Sequence, residues 1–394
     1  LGRSHSGLVG PQFDTIPPVK YECTPGNIAT LEHLVALLDP GMVLVFAGGR
    51  SYEASGAAAA VEQSLAGRRF SVVRDIPADP TSDDVERAVG IFRTDPPDFV
   101  VAVGGGSVID LAKAVRVIGP VSSDPGPFLL GERTVEDGGP PLLAIPTTAG
   151  TGSEATRYAV FTVDGEKRPI GHPALTPDHV ILDPELTYSL PAAVTASTGL
   201  DALAQAMESM WSTRSTDGSY ADARAALQLA LAHLETAVNR PDPESRTAMC
   251  TAAYLAGRAI DVSATTAPHA LSFHLTVEYG VPHGHAVALT LGPVLAYNAA
   301  VGADDCTDPR GPQHVRGAID DVLTLMGAAT PREAQAMLTD LVGNLGLEPT
   351  LTGVGVDAPS RRRRLAASAS PIRLATNPRE FTEASLERLV VDVG

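Results

Sequence analysis

Residues 99–115 read F-V-V-A-V-G-G-G-S-V-I-D-L-A-K-A-V. The apolar run 99–103 predicts a buried strand, three glycines make a bare turn, and the apolar positions after it predict a helix. A strand fed through a short turn into a helix is the unit of a parallel α/β sheet, because parallel neighbours need a crossover between them. Gly104, Gly105 and Gly106 remove side chains from the turn, and the helix start offers free N–H groups and a positive dipole end to a phosphate. Ser107 with Asp110 reads as a capping box with Asp standing in for Glu. The turn is not a G-x-G-x-x-G fingerprint, so from this motif alone a plain tight connection stays open beside phosphate binding.

Outward from this unit the alternation continues. Residues 42–46 predict a strand, 52–66 a helix, 70–73 a strand and 83–93 a helix. On the other side, 142–145 predicts a strand that runs into P-T-T-A-G-T-G-S-E-A-T. Small hydroxyl residues at a strand's C-terminal end suit the lip of a ligand site in an open α/β sheet, so Thr147, Thr148, Thr151 and Ser153 are candidates to hold ribose, carboxamide or phosphate. A polar loop bonded to itself is the other reading. Residues 158–170 alternate around Asp164-Gly165 and predict a β-hairpin over that lip. A last short strand, 180–182, leads into the proline-bounded D-P-E-L-T-Y-S-L-P, where the domain boundary is expected: an α/β dinucleotide-binding domain over 1–185 and a helical metal and substrate domain over 186–394. Residues 1–35 are Pro/Gly-rich and weakly patterned. Beyond 192 the strand signal fades, and 221–238, 246–260, 315–326, 331–345 and 382–391 predict helices, with no internal repeat.

The second informative stretch is 197–211, S-T-G-L-D-A-L-A-Q-A-M-E-S-M-W, a short turn running into a helix. Asp201, Gln205 and Glu208 fall on one face of that helix. Their neighbours are apolar almost all round, the composition of a buried helix, and a buried carboxylate needs a partner. His269, His274, His283 and His285 crowd into P-H-A-L-S-F-H-L-T-V-E-Y-G-V-P-H-G-H-A. An Asp and several His converging from separate elements make a divalent-metal site, whereas two isolated histidines would read as core residues.

Composition bounds the function. A length of 394 residues suggests two domains, and a net charge of −17 argues against nucleic acid. The basic run 361–364 reads as a solvated turn or helix end. No apolar run approaches a membrane span. Cys23, Cys250 and Cys306 are widely spaced with no C-x-x-C, which points to a reducing compartment, the cytoplasm, and away from a thiolate metal site. The start, L-G-R-S-H-S-G, has no apolar leader core and no Met, so the sequence is expected to begin within a longer reading frame or after processing. A homo-oligomer, a dimer in the simplest case, is the expected assembly.

The motifs G-G-G-S-V-I-D-L-A-K, P-T-T-A-G-T-G-S-E, D-P-E-L-T, T-G-L-D-A-L-A-Q-A-M-E and H-A-L-S-F-H-L…V-P-H-G-H-A occur in this order, with N-P-R-E-F near the C-terminus. As a set they resemble the iron-containing (group III) alcohol dehydrogenase family over roughly residues 30–390, and within it the phosphonoacetaldehyde reductase branch. The resemblance implies a dehydroquinate-synthase-like fold, with an α/β dinucleotide domain, an all-α C-terminal domain, and a metal and nicotinamide meeting between them. It also implies alcohol and aldehyde or ketone interconversion with NADP or NAD and a divalent metal, Fe2+ or Zn2+. Its metal ligands fall on Asp201, Gln205, His269 and His283, and Gln205 replaces a family His with a weaker neutral donor. A further family His, linked to proton relay, falls on Phe273, leaving His274 or His285 as candidate relays. Gly104, Gly105, Gly106 and Ser107 would bind pyrophosphate, with Asp110 near the phosphate helix and Lys167 reaching the cofactor from the hairpin. After the first strand the sequence is A-G-G-R-S, so Gly48 leaves room and Arg50 offers a cation to a 2′-phosphate. An Arg that the branch carries before the paired His is Ala264 here, which removes a phosphonate clamp. A specialised alcohol, aldehyde, amino-alcohol or modified peptide terminus in secondary metabolism is an equal expectation. Two other readings stay open: a metal-free reductase resembling maleylacetate reductases, and a decayed family fold kept as a partner-binding subunit.

Overall fold

The structure, a computed structural model, describes residues 22–135, 138–369 and 371–392. Most of the weakly patterned start, 1–21, lies outside the described residues. Where description begins, Cys23 forms a parallel bridge with Leu182, and α1 (Thr30–Leu38) follows where no helix is expected from the sequence.

Five strands form one parallel sheet in the order β2 (Arg69–Val73), β1 (Met42–Ala47), β3 (Phe99–Gly104), β4 (Leu142–Pro146) and β7 (His179–Val180). Strands β1, β3 and β4 are buried at every position, which is why they read as unbroken apolar runs. Helices α2 (Gly49–Ala54), α3 (Ala57–Ser64), α4 (Ser82–Thr94), α5 (Gly106–Ile118) and the short α6 (Gly126–Leu129) flank the sheet. The single helix expected over 52–66 is two, because Gly56 sits at φ 81, a left-handed conformation that breaks the ladder. The antiparallel hairpin β5 (Tyr158–Val163) and β6 (Glu166–Gly171) turns at Asp164 and Gly165 with φ of 53 and 78, the two positive φ values of a tight hairpin turn.

From Ala192 on, the described residues form helices and loops apart from an isolated bridge between Cys306 and Arg379. The helices are α7 (Ala192–Trp211), α8 (Asp217–Asn239), α9 (Pro243–Ser263), α10 (Ala267–Tyr279), α11 (His283–Ala299), α12 (Pro312–Met326), α13 (Pro331–Asn344), α14 (Pro359–Ala367), α15 (Pro371–Leu374) and α16 (Glu383–Asp392). The chain is an α/β N-terminal domain followed by an all-α C-terminal domain. The turn expected at Ser197-Thr198-Gly199 is already inside α7, whose N-cap is Pro191. Helix α7 is the hub, packed by α8, α9 and α11, and nearly all of it is buried. Leu200, Leu203, Met207, Met210 and Trp211 are at most 1% exposed, each worth about 1.5–3 kcal/mol of burial.

One surface expectation is corrected, at a single residue. The basic run lies inside α14, and Arg362 is buried, donating to Val356 O (3.2 Å), Val390 O (3.2 Å), Val391 O (2.6 Å) and Thr352 Oγ1 (2.9 Å). Arg362 ties α14 to α16 instead of facing solvent, while Arg361, Arg363 and Arg364 are exposed. Cys23 and Cys250, far apart in sequence, meet as free thiols in one apolar cluster.

Candidate metal and cofactor site

Helix α10 ends at Gly280, whose φ of 66 supplies the left-handed C-cap, and α11 begins at His283 after Pro282. This short reversal folds the two helices back on each other against α7. His269 and His283 thereby come edge to face with ring centroids 5.4 Å apart, and one donor atom from each of Asp201, His269 and His283 lies within 4.8 Å of the others. His269 Nε2 is 3.2 Å from Asp201 Oδ1. Gln205 Nε2 donates to the same oxygen at 3.2 Å and to Thr151 O at 3.2 Å. Its Oε1 is buried and has no partner.

Burial would raise the Asp201 carboxyl, yet the His269 hydrogen bond and both imidazoles outweigh it and hold its pKa below the usual range. Burial would lower His269, but Glu208 and Asp201 on either side push it up to about 10. His283, half-buried and with less compensation from carboxylates, is pushed down to about 4. These ligand atoms and an orphaned amide oxygen suit a divalent metal: two imidazoles, one ionised carboxylate and one neutral oxygen.

Sequence reasoning placed Glu208 on this face but gave it no role. It is wholly buried, and its Oε2 meets His269 Nδ1. Phe273, on the face where a family His was expected, packs on His283 with centroids 5.9 Å apart. The two relay candidates are not brought to the cluster. His274 lies five residues after His269, off that helix face, and turns toward Tyr279, with ring centroids 5.9 Å apart, and toward Glu278 and Arg364. His285 lies two residues after His283 and bonds Glu348 O through Nε2 at 2.6 Å, on the opposite side of α11.

The glycine turn is arranged differently from expectation. The N-cap of α5 is Gly105, with extended φ −79 and ψ −175, and Gly106 opens the helix, so Ser107 is not the cap. The glycines serve by leaving room, not by positive φ. A Cβ on Gly105 would come within 3.3 Å of the Thr148 side chain, and one on Gly106 within 2.8 Å of Thr151. The Ser107 hydroxyl donates to Ala78 O, and Asp110 accepts from Ser153 Oγ and from Val160 N–H (2.9 Å). Asp110 therefore ties α5, the Ser153 turn and the hairpin together. Thr147 donates its N–H to Gly104 O at 3.0 Å, while its buried hydroxyl has no partner. Lys167 pairs with Asp79 at 2.5 Å, and its charge reaches both Asp110 and His283. Gly48 caps α2 and donates its N–H to Val103 O at 2.9 Å, with Arg50 exposed in that helix's first turn. A hollow of about 830 Å³ lies between β6, α6 and α10, bordered by Lys167, Phe273 and His274.

Behind the lip, Lys113 is fully buried and donates to Tyr158 O at 2.8 Å, and Glu154 is buried beside it. Burial pushes the Glu154 carboxyl up to about 7, only partly offset by its own backbone N–H and Lys113. Because the folded pKa is above the ordinary 4.5, the fold binds this proton more tightly than the unfolded chain does. Stability is therefore greatest below pH 4.5 in this respect and is lost as pH rises toward 7. Glu154→Gln should be more stable than wild type at pH 8, by up to about 3 kcal/mol, with the difference closing near pH 4.5. Denaturant melts at the two pH values check this; a gap of equal size at both would show that Glu154 is ionised throughout.

Against known proteins, the profile "Iron-containing alcohol dehydrogenase" matches residues 18–184, and that of the "Fe-containing alcohol dehydrogenase family, C-terminal" matches 195–393. Phosphonoacetaldehyde reductase of Streptomyces viridochromogenes is 37% identical over 329 residues, 81% of each chain. Long-chain-alcohol dehydrogenase 1 of Geobacillus thermodenitrificans is 31% identical over 92% of this chain and 91% of its own. Sulfoacetaldehyde reductase from Bifidobacterium kashiwanohense, solved with NAD+, superposes with a TM-score of 0.85 at 29% identity, covering 98% of this chain and 99% of that one.

Proposed function

This chain belongs to the iron-containing alcohol dehydrogenase family, and we propose that its own residues carry the family's chemistry at the seam between sheet and helices. It is an NAD(P)-dependent oxidoreductase that interconverts an alcohol and an aldehyde or ketone. One observation carries the assignment of the site: the Asp201, His269 and His283 donors converge beside the glycine turn, and Thr151 joins the two through Gln205. Asp201, His269, His283 and the Gln205 amide oxygen would hold a divalent metal, Fe2+ or Zn2+, which supplies Lewis acidity to the substrate oxygen. Gly104, Gly105, Gly106 and the Thr147, Thr148 and Thr151 side chains would hold the dinucleotide that supplies or accepts the hydride. Lys167, between these two clusters, would orient the cofactor from the hairpin. Phe273 packs against His283 at the edge of the hollow. Asp201 contributes the ionised charge of the site; Gln205 adds none. The domain division proposed is 1–185 and 186–394, supported by profile matches that flank it. The three free thiols support placement in the cytoplasm.

The substrate proposed is a small aldehyde or its alcohol. A screen of the metal-reconstituted enzyme over short aldehydes, including phosphono- and sulfo-substituted ones, with NADH and NADPH tests the reading. Nicotinamide oxidation with at least one is expected; none, with cofactor bound, would favour a non-catalytic partner subunit. Gln205→His should bind the metal more tightly than wild type, measured by chelator competition, since imidazole is the better donor for a first-row metal. Equal affinity in the two would place residue 205 outside the ligand set.

Cofactor choice rests on the end of β1. No carboxylate follows it until Glu53, and that one is taken by Arg74 at 2.8 Å, while Arg50 is exposed beside Gly48. NADP(H) is therefore expected to bind at least as well as NAD(H), and Arg50→Ala to weaken NADP(H) alone by about tenfold or more, the value of one charge-assisted contact. Matched titrations decide it: an NAD(H) preference untouched by Arg50→Ala would mean the arginine only faces solvent.

A further inference from the structure

We infer that Glu208 is the positioning residue of the metal site: it holds His269 so that Nε2 faces the ligand cluster, and thereby sets metal affinity without being a ligand. The inference rests on the metal reading above. Glu208 is 0% exposed, and an unpartnered carboxylate so placed would cost several kcal/mol. This one is fully matched. Its Oε1 accepts from the Thr266 N–H at 2.7 Å, the Thr266 hydroxyl at 3.0 Å and the His269 N–H at 3.5 Å. It therefore occupies the N-terminus of α10, where the helix dipole favours an anion. Its Oε2 meets His269 Nδ1, leaving Nε2 as the nitrogen toward Asp201.

The frame around it is cross-bonded. Thr266 Oγ1 also accepts from Trp211 Nε1 at 3.0 Å, and Trp211 is the last residue of α7, three beyond Glu208. Just upstream, the Ser263 hydroxyl donates to Ser209 Oγ at 2.8 Å, and the Ser212 hydroxyl donates to Ser263 O at 2.6 Å. The α9–α10 link is thus bonded to the end of α7 at several points, and Ala264 is held at φ 56 within it. One helix supplies the ligand Asp201, and two turns later the carboxylate that aims its partner imidazole. A carboxylate on the far nitrogen of a ligating imidazole fixes its tautomer, raises its basicity and is commonly worth 10–100-fold in metal affinity.

The test uses the full chain stripped of metal and titrated with Co(II), followed by its visible absorption and by chelator competition. Glu208→Gln keeps the shape and removes the charge. Its Co(II) affinity should fall by about 10–100-fold with a shifted absorption band, while NADPH binding stays at the wild-type value. Unchanged affinity and spectrum in the folded variant overturn the role. If Glu208→Gln does not fold, Thr266→Val, which removes one anchor of the carboxylate, should weaken Co(II) by several-fold, and wild-type affinity there overturns it instead. Wild-type protein that takes up no Co(II) overturns the metal reading itself, and this role with it.

Discussion

Gly284→Ala should lose the metal. Gly284 is the second residue of α11, next to His283, and it lies flat against α7. A Cβ there would overlap Ser197 O and come within 2.8 Å of both the backbone N and the Cβ of Asp201. These are helix backbone atoms and the root of a ligand, not the tip of a side chain that can swing aside. The two helices must therefore separate, and the separation opens between Asp201 and His283. A metal site tolerates ligand distances only within about 0.2 Å, so a shift of this kind empties it even though the fold survives at a cost of about 1–3 kcal/mol. Metal content after anaerobic reconstitution should fall more than a hundredfold in affinity terms, with turnover lost alongside. Gly218→Ala, on α8 with open space around it, should change neither. Full occupancy in Gly284→Ala would mean that the α7–α11 contact does not set the site.

How much of this was legible in the sequence depends on the range of the interaction. The sheet was, because β1, β3 and β4 are buried on both faces and read as apolar runs, and so was the hairpin, because Asp164-Gly165 names its own turn. The shared face of Asp201, Gln205 and Glu208 was legible too, since helical spacing and apolar neighbours are local facts. The partner of Glu208 was not: Thr266 reaches it only through the α9–α10 link, 58 residues away. Asp110 misled for the same reason, because a capping box and a long-range anchor for Ser153 and Val160 look alike at three-residue spacing. The two candidate relay histidines lie apart from the Asp201 cluster because of helical phase. His274 and His285 lie close to His269 and His283 in sequence, but one and two residues off their helix faces.

Gly106→Val should disable the cofactor site and disturb the metal site with it, because Thr151 belongs to both. The Thr151 side chain packs where a Gly106 Cβ would sit, at 2.8 Å, and its carbonyl accepts the Gln205 amide at 3.2 Å. The loop cannot retreat to make room. On one side of Thr151, a Cβ on Gly150 would lie 2.7 Å from Thr198 O in α7; on the other, Gly152 at φ 61 has its backbone against Gly257 in α9. Valine must then move the glycine turn, or drive Thr151 and Gln205 together. Either way the N–H groups at the start of α5 lose the spacing that a pyrophosphate requires. The expected result is at least a hundredfold loss of NADH and NADPH affinity by fluorescence titration, with metal binding weakened several-fold. Gly105→Ala, whose methyl would meet Thr148 at 3.3 Å, needs a give of only a few tenths of an ångström and should cost about tenfold or less. Wild-type cofactor affinity in a folded Gly106→Val would mean the turn merely connects β3 to α5; lost cofactor with untouched metal would mean that Thr151 does not couple the two sites.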